Sequence, residues 1–330
     1  MSKYLCSELL SYPFDQYQRY RLVAEILDRL RESGERFMIL EVGGFHGLAR
    51  KFLDQDDVVI ADLFCNGENL DIISDAENLP FPDRAFPVVI STDFLEHIKP
   101  QDRSIAIQEM ARVSSELVLL AAPFQYQLAR SAEKLVFDFI KDWLGYEHKY
   151  LKEHLEREAP DLIETESELI KAGFDTIIFP NCYLERWLLM MLVYYYFEGL
   201  PSGMKIRQEI SRFYNQHYFW KDIAEPAYRH LILASRKIVR EKPEAFKDLI
   251  EKRYTEPEPS FEKLKLWAEM FRAGEVKRLL GRISELENLL NEKENELNHL
   301  KSYISELEDF QSKTKNSLAY RIYEKFFKRG

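Results

Sequence analysis

The stretch that most constrains the fold is residues 37–47, where an apolar run ends in an acidic residue and a glycine turn. Phe37–Leu40 is apolar and is followed by Glu41, Val42 and the pair Gly43-Gly44. A helical pattern follows over residues 48–53. This order predicts a buried strand, a tight turn and a helix. A second apolar run over residues 58–61 ends in Asp62. Two such strands joined by a helix form a parallel crossover, and ligands bind beyond the carboxyl ends of its strands.

The same stretch narrows the class of ligand. A dinucleotide site needs G-x-G-x-x-G after the first strand, and the frame that ends at Gly47 has Val42 in place of the first glycine. Glu41 would also repel a phosphate, whereas it suits a ligand that carries positive charge. The pattern therefore disfavours an NAD-dependent enzyme and favours a cationic ligand.

Four segments in this order resemble the class I SAM-dependent methyltransferases, most closely the small-molecule, type 11-like branch. They are Ile39-Leu40-Glu41-Val42-Gly43, Ile60-Ala61-Asp62, the D-A-E-N-L-P-F-P-D run over residues 75–83, and the V-V-I-S-T-D-F-L-E-H-I run over residues 88–98. The resemblance is good over about residues 36–125 and looser to about residue 240. Phe45 departs from the pattern at a position where glycine is usual, and Pro87 departs where an aspartate commonly opens strand four.

The resemblance implies a doubly wound, Rossmann-like α/β sheet and S-adenosyl-L-methionine as the cofactor. It implies that Asp62 accepts from the ribose hydroxyls, that Asp75 accepts from the adenine amine beside Ala76, and that Thr92 or Asp93 lies under the sulfonium. The complete set of expected cofactor-binding residues is Glu41, Gly43, Gly44, Asp62, Leu63, Asp75, Ala76, Thr92 and Asp93.

An alcohol acceptor must lose a proton, so two histidines are candidate catalytic bases. His97 follows the predicted fourth strand, and His148 lies in the first of two long insertions. His46, inside the glycine turn, is expected to shape that turn. The sequence shows no metal-ligand spacing of His, Cys and carboxylate residues, so it predicts no metal.

Composition limits the remaining classes. The formal net charge of −10 argues against a general nucleic-acid binder, because phosphate contacts need a basic face. The three cysteines show no disulfide framework, and the N-terminal residues lack the pattern of a signal peptide. The most apolar run, residues 187–197, is too short to span a bilayer. These features predict a cytoplasmic protein, with peripheral contact at the inner membrane face as an option.

The organisation along the chain follows from breaks in the pattern. Residues 1–240 are predicted to form the methyltransferase domain, with helical insertions at about 123–165 and 181–229. The second insertion is rich in aromatic residues, which suit either a stacking platform for a ring-bearing acceptor or a core or dimer face. A charged linker and short helix are expected over 241–272, a coiled coil over 273–312 and a basic amphipathic tail over 313–330.

The predicted coiled coil has apolar residues in nine of ten core heptad positions, with Lys293 as the polar break. One core position holds Val276, Ile283, Leu290, Leu297 and Ile304, and the other holds Leu279, Leu286, Leu300 and Leu307. A parallel homodimer is expected, with a trimer as the alternative, because a single helix would leave this stripe in water. The basic tail suits an anionic membrane surface, a partner protein or solvent equally well.

These observations predict a SAM-dependent methyltransferase that acts on oxygen in a small molecule or a saccharide. The terminal sequence NSLAYRIYEKFFKRG resembles the ends of enzymes in bacterial surface-polysaccharide assembly, which favours a saccharide acceptor. The alternative is a non-catalytic scaffold or docking subunit with the same fold, which Phe45 and Pro87 would favour.

Overall fold

A computed structural model describes residues 3–44, 47–63, 70–200, 203–237, 243–251 and 261–327. The chain divides into two units, residues 1–269 and residues 270–330. Phe45 and His46 of the glycine turn, and one of the three cysteines, Cys65, lie outside the described residues. Within the described part, no helix is both long enough and apolar enough to cross a membrane.

The first unit is built on a seven-stranded sheet with the strand order β3-β2-β1-β4-β5-β7-β6. The strands are β1 Met38–Val42, β2 Asp57–Asp62, β3 Ile72–Ile73, β4 Phe86–Thr92, β5 Ser114–Ala122, β6 Asp175–Tyr183 and β7 Ala227–Ser235. The pairs among β1 to β5 are parallel, whereas β7 runs antiparallel to β5 and β6. The apolar runs over residues 37–40 and 58–61 form β1 and β2, with ends shifted by one or two residues.

Helices cover both faces of the sheet, and the alternation of side chains along each strand explains why. Ile39 packs in one buried apolar cluster with α2 (Phe14–Leu30). Leu40, on the opposite face, packs in a second cluster with α4 (Arg103–Val113). Successive residues of a strand point to opposite faces, so a continuous apolar run serves both clusters. The doubly wound fold predicted from the sequence is therefore confirmed.

The remaining helices of the first unit complete these layers. They are α1 Ser7–Leu10, α3 Ala49–Phe52, α5 Gln127–Leu144, α6 Lys149–Glu156, α7 Leu162–Lys171, α8 Leu184–Glu198, α9 Gly203–Tyr218 and α10 Lys247–Glu251. Helix α4 begins at Arg103, directly after a 3₁₀ turn at Pro100–Asp102. Pro87 lies where the β4–β5 register shifts, so its missing N–H falls at an irregular point of the ladder.

The two long insertions are largely helical and form a third apolar cluster. Helices α5, α6, α8 and α9 contribute to it, and Trp187 stacks on Tyr228 with ring centroids 3.8 Å apart. Tyr195 and Tyr214 are also buried there, whereas Phe213 is exposed. Most of the aromatic side chains in the second insertion therefore build a core, which explains their abundance without a ligand.

The second unit consists of the greater part of helix α11, Phe261–Asn316, and of α12, Leu318–Phe327. Among the residues of this unit whose side chains are described, none is buried. The apolar stripe is exposed in the single chain, with Leu290 at 61% and Leu297 at 51%. The long helix agrees with the predicted fold, and the coiled coil itself stays a prediction, as do the domain boundaries at 241, 273 and 313.

Candidate active site

The ends of β1, β2 and β4 meet at one edge of the sheet because the strands are parallel and in register. Val42 pairs with Ala61, so Gly43 and Asp62 follow at adjacent positions, and the Gly43 amide donates to the Ala61 carbonyl at 2.9 Å. Thr92 ends β4 next to Ala121 of β5. Crevices at this edge are the usual binding places of such sheets. The structure thus places Gly43, Asp62 and Thr92 at one edge of the sheet, and their contacts with a cofactor stay a prediction.

The expected adenosine-binding residues lie around the end of β2. Asp62 is 8% exposed, and Leu63 beyond it is 56% exposed. The short strand β3 pairs with Ala61 and Asp62, which brings the following Asp75 and the buried Ala76 to the same edge. The Asp75 carboxylate accepts from the Glu77 amide at 3.0 Å, which fixes the turn that holds it. An acidic tip on each of two neighbouring strands suits a nucleoside with several donors.

The glycine turn is shaped by two close approaches. Gly43 has φ +81°, a conformation that favours glycine, and a Cβ added there would meet the Phe94 ring at 2.2 Å. A Cβ on Gly44 would meet the Glu41 carboxylate at 2.3 Å. Both glycines are therefore required by their neighbours, because the Phe94 ring and the Glu41 carboxylate occupy the space that a side chain would need.

Glu41 lies beneath this turn and is 1% exposed. Its Oε1 accepts from the Tyr20 hydroxyl at 2.8 Å, and its Oε2 has no partner among the described residues. Burial raises the pKa of Glu41 to about 7, against the opposing effect of the Tyr20 hydrogen bond. Glu41, one of the expected cofactor-binding residues, is thus buried, and one of its oxygens has no partner among the described residues.

Asp93 follows β4 with φ +48° and pairs with two arginines. Arg19 of α2 donates to it at 2.7 Å, and Arg229 of β7 forms a second ion pair with it. Burial raises the pKa of Asp93, but the two guanidinium groups outweigh burial and lower it overall. Asp93 therefore joins α2, β4 and β7, and its predicted place under the sulfonium stays a prediction.

A cavity of about 410 Å³ opens beyond the end of β5 and is called the β5 cavity below. Its lining residues are Glu96, Pro123, Phe124, Gln125, Tyr126, Gln127, Ala129, Arg130, Glu133, His154, Arg157, Glu158 and Ala159. They come from the segment after β4, the segment after β5, helices α5 and α6, and the segment that follows α6. The cavity is therefore bordered by the chain that continues from Thr92 and Asp93.

The polar lining of the β5 cavity is a cluster of carboxyl and imidazole groups. Glu96 is 4% exposed, and neither of its carboxyl oxygens has a partner among the described residues. Burial, reinforced by the charge of Asp93, raises the pKa of Glu96 to about 8. His154 has its Nδ1 2.8 Å from Glu133 Oε1, while its Nε2 lacks a partner in the described part of the chain.

The two predicted catalytic histidines differ in their surroundings. His97 Nδ1 lies 3.2 Å from Glu153 Oε2, and its ring lies 5.2 Å from that of His154. Burial, and then the nearby His154, lower the pKa of His97. His148 Nδ1 accepts from the Leu151 amide at 3.3 Å and so caps α6. Both catalytic roles stay predictions, and the geometry favours the His97 surroundings.

Sequence reasoning missed Glu96, Glu133 and His154 as members of one site. Glu96 was visible in the E-H pair after β4, but His154 and Glu133 lie in an insertion that carries no motif. Only the packing of α5 against α6 and the β4 end brings the three side chains together. The only sequence signal for this part of the site was a histidine and a glutamate on two separate amphipathic helices.

The comparisons with known proteins agree with this geometry. Residues 50–118 match the sequence model of a family described as a methyltransferase domain. The match spans β2, β3, β4, α4 and part of β5, which includes Asp62, Asp75 and Asp93. No curated protein matches the chain.

Similar solved structures are of low sequence identity. A Bacillus halodurans protein with a methyltransferase assignment is 18% identical, with 65% of this chain and 98% of that chain covered and a TM-score of 0.38. The YcgJ protein of Bacillus subtilis is 14% identical, with 65% and 98% covered and a TM-score of 0.37. A SAM-dependent methyltransferase of Thermotoga maritima is 13% identical, with 67% and 91% covered and a TM-score of 0.40.

The family match covers residues 50–118, and the strand order of the first unit is that of a Rossmann-like methyltransferase fold. The matched segment and the fold together support the predicted SAM-dependent methyltransferase. The chemistry of the residues at the sheet edge fits S-adenosylmethionine, because the Asp62 carboxylate and the Glu41 oxygen that has no partner among the described residues are acceptors suited to a cationic nucleoside.

Proposed function

We propose that this chain methylates an oxygen atom of a small molecule or a saccharide that binds in the β5 cavity. The observation that carries the proposal is the position of the cavity, which is lined by Glu96, three residues after Asp93 at the β4 end. An acceptor there would lie next to the sheet edge that holds the predicted cofactor residues. The cavity volume of about 410 Å³ suits a small molecule or one sugar ring.

The lining of the cavity suits an acceptor with hydroxyl groups. Phe124 and Tyr126 supply aromatic surface beside polar groups from Gln125, Arg130 and Glu158. A sugar presents an apolar face and a rim of hydroxyls, and aromatic rings with nearby hydrogen-bonding groups complement both. This combination supports a saccharide more than a purely apolar acceptor.

Bound S-adenosylmethionine supplies an electrophilic methyl group, so the protein has to position the acceptor and exclude water. The acceptor oxygen forms the new C–O bond while the C–S bond breaks, and the sulfur keeps the electron pair. The hydroxyl proton must leave, and the groups beside it are Glu96, Glu133 and His154. The carboxyl and imidazole groups of this cluster can accept the hydroxyl proton.

The second unit is proposed to pair with another copy of the chain. Its apolar stripe follows a heptad repeat and is exposed in the single chain. The parallel homodimer is the preferred state. In α12, Leu318, Ile322 and Phe326 are exposed near basic residues, which supports peripheral contact with an anionic membrane.

Incubation with methyl-labelled S-adenosylmethionine and a panel of sugars, nucleotide sugars and phenols tests the proposal. We expect label in an acceptor that carries a free hydroxyl, one methyl group per acceptor by mass spectrometry, and an O-methyl carbon shift by NMR. Tyr126→Ala should raise KM about tenfold through lost stacking, whereas the exposed Tyr303→Ala on α11 should not change it. Label on nitrogen or carbon would contradict O-methylation, and S-adenosylhomocysteine binding without any transfer would favour the scaffold alternative.

A further inference from the structure

The carboxyl–imidazole cluster beside the β5 cavity has the composition of a metal site. Glu96, His97 and His154 each offer one ligand atom, and these three atoms lie within 4.8 Å of one another. Metal–ligand bonds of about 2.1 Å require ligand atoms about 3–4 Å apart, so small side-chain adjustments would complete the site. The chain thus presents two imidazoles and one carboxylate, although its sequence spacing predicts no metal.

A second observation separates this cluster from a surface group of acidic residues. Glu96 is buried and borders the cavity, yet both of its carboxyl oxygens lack partners in the described residues. A buried carboxyl group without partners is costly, because desolvation is not compensated. His154 Nε2 is also buried and unpaired within the described part of the chain. A cation between these atoms would satisfy both groups at once.

The surroundings of the two histidines reinforce this interpretation. His154 Nδ1 lies 2.8 Å from Glu133, and His97 Nδ1 lies 3.2 Å from Glu153. A histidine that binds a metal commonly donates its other ring N–H to a carboxylate, which fixes the tautomer and the ring orientation. Here both rings have a carboxylate at Nδ1, which leaves Nε2 of each ring for a ligand.

The charges around the cluster also favour a cation. Glu96, Glu133 and Glu153 contribute three carboxyl groups. Of the nearby arginines, Arg157 pairs with Glu153, whereas Arg103 and Arg130 donate to backbone carbonyls. Asp93 is held by its own two arginines and does not need a metal for neutralisation. The cluster therefore has acidic groups to spare for a divalent ion.

We propose that Glu96, His97 and His154 bind a divalent transition-metal ion at the wall of the β5 cavity. Two imidazoles and a carboxylate suit transition metals better than Mg²⁺ or Ca²⁺, which prefer oxygen ligands alone. The three protein ligands leave coordination positions open on the side of the cavity. An acceptor hydroxyl that occupied one of them would ionise more readily, so the inference deepens the proposed O-methylation and rests on it for that role.

Titration of ZnCl₂ into the full-length chain, freed of metals and of any polyhistidine tag, tests the site by calorimetry. We expect one equivalent of Zn²⁺ to bind. Glu96→Gln, which keeps the shape of the side chain, and His154→Gln should each weaken binding at least tenfold, and Glu133→Gln should weaken it about tenfold through loss of ring orientation. The matched control is His217→Gln, an exposed histidine on α9, which should bind as the wild type does.

A spectroscopic measurement guards against variants that fold poorly. Co²⁺ added to the wild-type chain should give visible absorption bands of an ion with nitrogen and oxygen ligands, and Zn²⁺ should abolish them. The bands should be lost in Glu96→Gln while the melting temperature without metal changes little. Absence of Zn²⁺ binding to the wild-type chain, equal affinity in Glu96→Gln and His154→Gln, or preferential binding of Mg²⁺ would overturn the proposal.

These titrations are made without cofactor, so they separate the metal site from the proposed function. S-adenosylhomocysteine binding is titrated independently in the same metal-free samples. Methyl transfer that persists unchanged in excess chelator would refute a role for the metal in the reaction and leave O-methylation standing. Tight Zn²⁺ binding without S-adenosylhomocysteine binding would support the metal site and contradict the methyltransferase assignment.

Discussion

The two units of this chain differ in the burial of their apolar side chains. In the first unit, three buried clusters enclose the apolar residues between the sheet and its helices. In the second, the heptad residues of α11 that are described are at least 39% exposed in the single chain. The first unit therefore folds around its own core, whereas the apolar stripe of the second stays uncovered in the single chain. This difference supports the proposal that the first unit holds the active site and that the second pairs with another copy of the chain.

The largest effect is expected on dimer formation through the apolar stripe of α11. Leu290→Asp combined with Leu297→Asp should dissociate the dimer, because four leucine side chains lose burial worth about 1.5–3 kcal/mol each. Sedimentation equilibrium should show a dissociation constant raised at least about 1000-fold. S-adenosylhomocysteine affinity should stay unchanged.

The matched control for this double variant lies on the opposite side of α11. Asn295→Asp combined with Ser302→Asp adds the same charge away from the stripe and should leave the dimer intact. A stripe variant that still dimerises, or a wild-type chain that is monomeric, would refute the coiled coil.

The next effect concerns the buried ion pairs of the first unit. Asp93→Asn should lower the free energy of unfolding by about 3–5 kcal/mol, because Arg19 and Arg229 keep their buried charges without a partner. Urea unfolding measures the change. Asp83→Asn, which removes an exposed partner of Arg112, should cost less than about 1 kcal/mol. Equal stability of the two variants would show that Asp93 does not join the elements around it.

Glu41 is expected to make the free energy of unfolding depend on pH, by somewhat less than the change expected for Asp93→Asn. Its pKa is about 7 when folded and near 4.5 when unfolded, so the folded state retains a proton that the unfolded state releases between these values. The contribution of Glu41 to the free energy of unfolding should therefore fall by about 3 kcal/mol as pH rises from about 4.5 to about 7.

Glu41→Gln isolates this contribution because it keeps the size of the side chain and cannot ionise. The difference in unfolding free energy between wild type and variant, measured at about pH 5 and pH 8, should shift in favour of the variant at the higher pH. A difference that does not depend on pH would show that Glu41 titrates normally.

The smallest effect is expected in α12. Phe326→Ser removes an exposed ring from the proposed membrane face and should weaken binding to vesicles of anionic lipid about tenfold. Phe310→Ser, an exposed phenylalanine of α11, is the control and should bind as the wild type does. Vesicle flotation measures the binding of the wild-type chain and of both variants. Equal binding of all three would refute a membrane role for α12.

The sequence was informative where local patterns decide structure. Glycines 43 and 44 after an apolar run located the β1 turn, and the acidic ends of β1 and β2 followed from the same runs. Side-chain alternation along a strand has a fixed period, so a short pattern suffices to predict the strand. The long heptad array predicted α11 for the same reason.

Other parts of the site depend on contacts between distant segments. The pairing of Asp93 with Arg19 and Arg229 joins α2, β4 and β7, and no local sequence pattern predicts this pairing. His154 can be assigned to the site only from its proximity to Glu133 and Glu96, which lie on separate elements. Long-range packing of this kind leaves no periodic signal along the chain.

The central claim is that the acidic strand ends of the first unit hold a cationic nucleoside. Calorimetric titration of S-adenosylhomocysteine, whose adenosine and ammonium groups match those of the cofactor, tests it most directly on the wild-type chain, on Asp62→Asn and on the control Asp83→Asn. The account predicts one binding site, an affinity at least about thirtyfold weaker in Asp62→Asn through loss of charged hydrogen bonds, and no change in the control. Absence of binding to the wild-type chain, or equal affinity in all three, would contradict it.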